Sequence, residues 1–102
     1  MSRPKYTLRL LKAAEEDLFE IVTYIAADNL RAAAAVATKI EKKINLLSRH
    51  PYLGQIPEDP ELVRMGYRYL IVGNYLIFYT LETQVVLVHR ILHGARNYAG
   101  LL

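Results

Sequence analysis

The chain has 102 residues, a length that predicts one domain spanning 1–102 around a single modest core. It carries 13 basic and 10 acidic residues, a net charge of +3, and no cysteine, which excludes disulfide scaffolds and thiolate metal sites. Its opening MSRPKYTLRLLKAAEED has no long apolar run, so a cytoplasmic protein with no signal peptide and no membrane span is expected.

YTLRLL, residues 6–11, reads as a short strand rich in leucine. In KAAEEDLFEIVTYIAAD, residues 12–28, Leu18, Ile21, Val22 and Ile25 recur at helical spacing and form one apolar stripe. Glu15, Glu16 and Asp17 crowd its start, where the helix macrodipole favours negative charge. Asp28 or Asn29 is expected to cap a second helix, because a short side-chain oxygen accepts from the free N–H groups there. That helix, LRAAAAVATKIEKKINLLSRH, puts Val36, Ile40, Ile44 and Leu47 on one face and stops at Pro51. The alanines at 32–35 leave room for close approach, and the minimal linker predicts an antiparallel helical hairpin.

Residues 51–66, PYLGQIPEDPELVRMG, hold three of the four prolines and two glycines and read as a loop. YRYLIV and YLIFYTL follow, separated by Gly73–Asn74, a strong hairpin signal. VVLVHRIL, from Val85, is a third strand. The fold class is therefore α+β in the order β-α-α-β-β-β. The expectation is a twisted, mostly antiparallel sheet with the helical hairpin on one face. A two-residue turn pairs Val72 with Tyr75, Leu70 with Ile77 and Arg68 with Tyr79 on one face. Tyr67, Tyr69, Ile71, Leu76 and Phe78 then share the other. A three-residue turn before the last strand would put Val86, Val88 and Arg90 on this second face, with Val85, Leu87 and His89 on the first. Two helices cover only one face. The second is expected to stay open, and an exposed apolar surface of that kind marks a partner site.

Charge is unevenly spread. Residues 1–12 hold Arg3, Lys5, Arg9 and Lys12 and no acid; residues 13–61 hold five basic against nine acidic side chains; residues 62–102 hold Arg64, Arg68, Arg90 and Arg96 against Glu82 alone. Basic ends around an acidic middle suit an acidic partner if the ends meet in space.

Familiar catalytic motifs are missing: there is no GxGxxG, P-loop, GxSxG or HExxH. The three histidines, His50, His89 and His93, have no metal-ligand spacing, so no metal or cofactor is expected. His50 suits a helix C-terminus. His89, inside a strand, reads as a half-buried histidine with one satisfied hydrogen bond. His93, just before Gly94 at a strand end, is better placed to reach a ligand. Arg96 lies beyond that strand. Arg68 has the geometry for bidentate contact with phosphate or carboxylate and reads equally as a sheet-edge residue stacked on Tyr79.

AAEEDLFEIVTYIAADN, LSRHPYLGQ, YRYLIVGNYLIFYTL and VHRILHGARNY together resemble the RelE/ParE superfamily of toxins from type II toxin–antitoxin systems, over nearly the whole chain. The RILHGAR ending is most similar to the ParE branch. Lys12 departs from the Ser with which many relatives start the first helix. The resemblance implies a cytoplasmic toxin held in a hetero-oligomer by an antitoxin encoded beside it. The antitoxin would cover the face of Tyr67, Tyr69, Ile71, Leu76 and Phe78. Arg90, His93, Arg96 and Tyr98, along the basic C-terminal edge, are expected to engage the target. In the ParE branch that target is DNA gyrase. In the RelE branch the toxin is a metal-independent endonuclease acting on mRNA in the ribosome, and Arg68, Arg90, His93 and Arg96 are the candidate catalytic residues here. That branch has a key Arg in the third strand, where YLIFY has Leu76, with Arg90 expected across from it. The ParE reading is therefore preferred. A third alternative is a silent toxin fold that serves only in a repressor complex.

Overall fold

In the computed structural model, residues 5–94 and 98–102 are described. Four strands, β1 (Thr7–Leu10), β2 (Arg68–Val72), β3 (Tyr75–Glu82) and β4 (Val85–His93), form one sheet in the order β1-β4-β3-β2. β1 runs parallel to β4, and the other pairings are antiparallel. Helices α1 (Lys12–Ala26) and α2 (Leu30–Leu46) form the hairpin on one face, α1 against β4 and α2 against β2. This is the expected α+β arrangement.

α2 starts where Asn29 Oδ1 accepts the Ala32 N–H at 3.0 Å. α1 has no side-chain cap, since Leu11 occupies the capping position. The hairpin buries Ala14, Ile40, Ile44 and Leu47 against Leu70, Val72, Ile77, Tyr79, Val86, Val88 and Ile91 of the sheet. Residues of period 3.6 from the helices thus meet residues of period 2 from the strands. The β2–β3 register is the expected one, with Val72 opposite Tyr75 and Arg68 opposite Tyr79. Gly73 takes a positive φ of 56° in the turn.

Three expectations are corrected. First, the segment 51–66 is not all loop. Pro60–Arg64 forms α3, whose start has Asp59 accepting the Glu61 N–H at 2.8 Å and proline in its first turn.

Second, the turn from β3 to β4 has two residues, since Glu82 pairs with Val85. Val86 and Val88 therefore lie in the helix-covered core and not on the second face. The register then slips between Phe78 and Tyr79, which oppose Arg90 and Val88. His89 is the extra residue of this β-bulge. The slip turns Ile91 into the core and His89 onto the second face beside Tyr67 and Thr80. Arg90 stands across from Phe78, while Leu76 faces Leu92.

Third, the second face is not open. α3 contributes Leu62, and residues 98–102 contribute Tyr98, Leu101 and Leu102, to a second cluster on Tyr67, Phe78 and Leu92. Phe78 is 0% exposed and Tyr67 is 6% exposed. Among the described residues, no helix is long and apolar enough to cross a membrane.

Candidate functional site

β1 ends at Leu10, opposite Val88, so among the described residues the outer edge of β4 beyond Val88 has no strand partner. α1 begins at that point and fills the gap. Asp17, on its second turn, is buried. Its Oδ2 accepts the Ile91 N–H at 2.9 Å and Arg90 Nε at 2.7 Å, and its Oδ1 accepts Arg90 Nη2 at 2.8 Å. Arg90 Nη1 also donates to the Leu101 carbonyl at 3.0 Å. The Asp17 hydrogen bonds hold the guanidinium pKa above its ordinary value. Asp17 therefore serves the strand edge, whereas its sequence position suggested a macrodipole role.

On the second face, the Tyr67 hydroxyl lies 3.2 Å from His89 Nδ1, and the Thr80 hydroxyl lies 2.8 Å from His89 Nε2. Both ring nitrogens are thus engaged, against the single bond expected. Burial lowers the His89 pKa, and Glu82 opposes this in part. Burial likewise raises the Tyr67 hydroxyl.

Near the β2 edge, Arg68 Nη1 donates to the carbonyls of Gly54 at 3.0 Å and Tyr52 at 3.4 Å. Its guanidinium lies 5.1 Å from the Tyr52 ring centre. Arg68 thus stacks on Tyr52 and not on Tyr79. The Tyr79 hydroxyl instead donates to the Pro51 carbonyl at 2.8 Å and accepts the Gly54 N–H at 2.8 Å. These bonds pin residues 51–54 to the sheet.

His93 is exposed and meets Tyr75 edge-on, with ring centres 5.6 Å apart. It lies on the opposite face from Arg90, because the two are three residues apart on one strand. Tyr98 is half-buried and packs on Phe78 at 4.9 Å. Arg96 lies outside the described residues. Arg90 and Tyr98 therefore belong to the second face, whereas His93 belongs to the face that carries the helical hairpin. Of the five residues given to the antitoxin, Tyr67 and Phe78 are buried, Tyr69 and Leu76 half-buried, and Ile71 exposed. Sequence reading missed Asp17 and His89 as site residues. No local signal marks Asp17, since its partners lie more than 70 positions away.

Among the described residues, no group of three acidic or histidine side chains is arranged to hold a metal. The arrangement ties its cations to acceptors within the fold, Arg90 to Asp17 and the Leu101 carbonyl and Arg68 to the Gly54 and Tyr52 carbonyls.

Residues 8–98 match the family described as ParE toxin of type II toxin-antitoxin system, parDE. The chain is 32% identical over 90 residues to Toxin ParE1 of Caulobacter vibrioides, covering 87% of this chain and 90% of the relative. A solved structure titled Chromosomal ParDE TA system from P. aeruginosa superposes with a TM-score of 0.72 over 89% of this chain and 98% of that one, at 18% identity, a likeness of fold. The toxin–antitoxin complex RelBE2 from Mycobacterium tuberculosis gives a TM-score of 0.61 at 27% identity, over 87% of this chain and 98% of the matched chain. The family match spans β1 to the segment after β4 and includes both halves of the Asp17–Arg90 pair. This chain belongs to the ParE toxin family of type II toxin–antitoxin systems.

Proposed function

We propose that this toxin inhibits DNA gyrase by gripping it, does not cut RNA, and is held silent by an antitoxin encoded beside it. One observation carries the reading that RNA is not cut. Two of the four candidate cleavage residues, Arg68 and Arg90, are engaged within the fold. RNA cleavage by 2′-hydroxyl attack needs a base, an acid and cations on the phosphate. Here Arg90 is taken by Asp17 and the Leu101 carbonyl, and Arg68 by the carbonyls of residues 52 and 54. Leu76, across from Leu92, supplies neither charge nor proton. Arg90 cannot substitute for it, because the bulge sets Arg90 opposite Phe78. His93 and Arg96, near the end of β4, are the residues we assign to target engagement.

An antitoxin partner is supported by the Mycobacterium tuberculosis neighbour, itself solved as a toxin–antitoxin complex. The deciding experiment adds purified toxin to gyrase with relaxed plasmid and, separately, to programmed ribosomes. Loss of supercoiling with intact mRNA is the expected result. Cleaved mRNA with unaffected supercoiling would overturn the gyrase assignment. Expression without antitoxin should arrest growth; continued growth would indicate the silent, repressor-only alternative.

A further inference from the structure

The outer side of the helical hairpin carries two adjoining cavities of about 410 and 400 Å³ that share Glu15 and Phe19. Leu18, Phe19 and Val22 of α1, Ala37 of α2 and Leu10 at the end of β1 give this groove its apolar walls. Phe19 is 72% exposed and belongs to neither core cluster. Spacing sets its company. Lys12, Glu15, Glu16, Phe19 and Glu20 stand three or four residues apart and line up on one side of α1.

Four carboxylates rim the groove, Glu15, Glu16 and Glu20 from α1 and Glu41 from α2, against one lining cation, Lys12. Among the described residues, no hydrogen bond or ion pair engages any of the four. α1 packs on β4, and the rim extends along that strand. After the Asp17 hydrogen bonds, the charges of Glu20 and Glu16 add to the rise in the Arg90 pKa. The acidic side of α1 therefore lies next to the strand that leads to His93.

The walls choose the shape of an occupant and the rim chooses its charge. Main-chain groups inside α1 and α2 are paired within their own helices, so an extended peptide finds no ladder to join. A helix docks through side chains alone, ridge into groove, and the small Ala37 lets its ridge come close. The carboxylates attract a cationic helix and repel a nucleic-acid backbone.

We propose that this groove receives a basic amphipathic helix of the target protein. The helix lays its apolar face on Leu18, Phe19 and Val22 and sets lysines or arginines against Glu15, Glu16, Glu20 and Glu41. The proposal rests on the gyrase reading above and adds where the toxin grips and which chemistry on the target it grips.

The test compares full-length wild-type and variant toxins for binding to gyrase and for inhibition of plasmid supercoiling. Phe19→Gln places a good helix former at an exposed site and should weaken gyrase binding about tenfold. The triple variant Glu15→Gln/Glu16→Gln/Glu20→Gln keeps side-chain shape and removes three charges. It should weaken binding at low salt by at least about tenfold, with a flatter salt dependence than wild type. Both should keep the wild-type circular dichroism spectrum. Gyrase binding as tight as wild type in both variants would overturn the groove as the contact and leave the gyrase reading intact. A weakened Phe19→Gln beside an undiminished triple variant would overturn the basic character of the occupant. Variants that lose the antitoxin but keep gyrase would give the groove to the antitoxin, and a wild-type dimer that Phe19→Gln dissociates would give it to a second copy; either result overturns the proposal. A wild-type toxin that neither binds nor inhibits gyrase sinks both readings, and that failure looks different from the others.

Discussion

The guanidinium of Arg90 grips both carboxylate oxygens of Asp17, a residue 73 positions earlier, while the same carboxylate accepts the Ile91 N–H. Three structural elements meet there: α1, the bulged part of β4 and, through the Leu101 carbonyl, the C-terminal turn. The pair sits largely out of water, with side-chain exposures of 22% and 10%. Removing one member of a buried pair leaves an uncompensated charge and typically costs about 3–5 kcal/mol. Asp17→Ala also orphans the Ile91 N–H. We expect Asp17→Ala to lower stability by about 3 kcal/mol or more in urea unfolding. Asp17→Asn, which keeps an acceptor for Ile91, should lose less. Equal losses would mean that the retained acceptor contributes nothing and that the charge accounts for the whole effect.

Much of the fold was legible in the sequence because it follows from local periodicity. Val36, Ile40, Ile44 and Leu47 reached the core as their spacing predicts, and Gly73–Asn74 set the β2–β3 register. The bulge at His89 was not legible. It depends on α1 replacing β1 along the β4 edge, which is a tertiary fact. α3 had a signal that proline and glycine content hid: Asp59 followed by Pro60 and Glu61 is a helix start. The cover over Phe78 comes from residues 98–102, a stretch with no strong pattern of its own.

The contact between Gly54 and Tyr79 predicts a sharp size limit. A Cβ at residue 54 would lie 2.6 Å from both the ring and the hydroxyl of Tyr79. Tyr79 is fully buried and cannot retreat. Gly54→Ala should therefore destabilise by about 1–3 kcal/mol, the usual range for overpacking. Tyr79→Phe should cost a similar amount, since it removes two hydrogen bonds and strands the Gly54 N–H. Thermal unfolding of both variants checks this. A neutral Gly54→Ala would show that residues 51–54 are not pinned.

Gln84 gives a prediction of opposite sign. It holds a φ of 61° in the β3–β4 turn, a conformation that side chains disfavour. Its carbonyl accepts the Thr7 N–H at 2.8 Å, a bond that glycine would keep. Gln84→Gly should raise stability by about 0.5–1 kcal/mol, measured by urea unfolding. A loss would mean that the Gln84 side chain does more than tolerate its backbone.

His89 makes stability depend on acid. Burial lowers its pKa from the ordinary 6.5. The unfolded chain therefore takes up a proton at a higher pH than the folded one. The resulting stability is fully present above pH 6.5, the unfolded value, and is lost as the pH falls through the lowered folded value. His89→Gln keeps hydrogen-bonding capacity toward Tyr67 and Thr80 and cannot titrate. Wild type should lose more stability than His89→Gln between neutral pH and pH 5. Parallel losses in the two proteins would exclude His89 as the source.

Substitution of the two C-terminal arginines should separate folding from target engagement. Arg90 is committed inside the fold, so Arg90→Ala should abolish growth arrest by destabilising the toxin, with a loss of about 3 kcal/mol. Its failure would say nothing of gyrase, so the melting curve must be read beside the growth curve. Arg96 follows β4 in sequence and is proposed to engage the target. Arg96→Ala should abolish growth arrest and gyrase inhibition while changing stability by no more than about 0.5 kcal/mol, as a role in the target contact and not in the fold requires. A folded Arg96→Ala toxin that still arrests growth would remove Arg96 from the target-binding surface. A toxin that loses activity and stability together would give Arg96 the same structural role as Arg90.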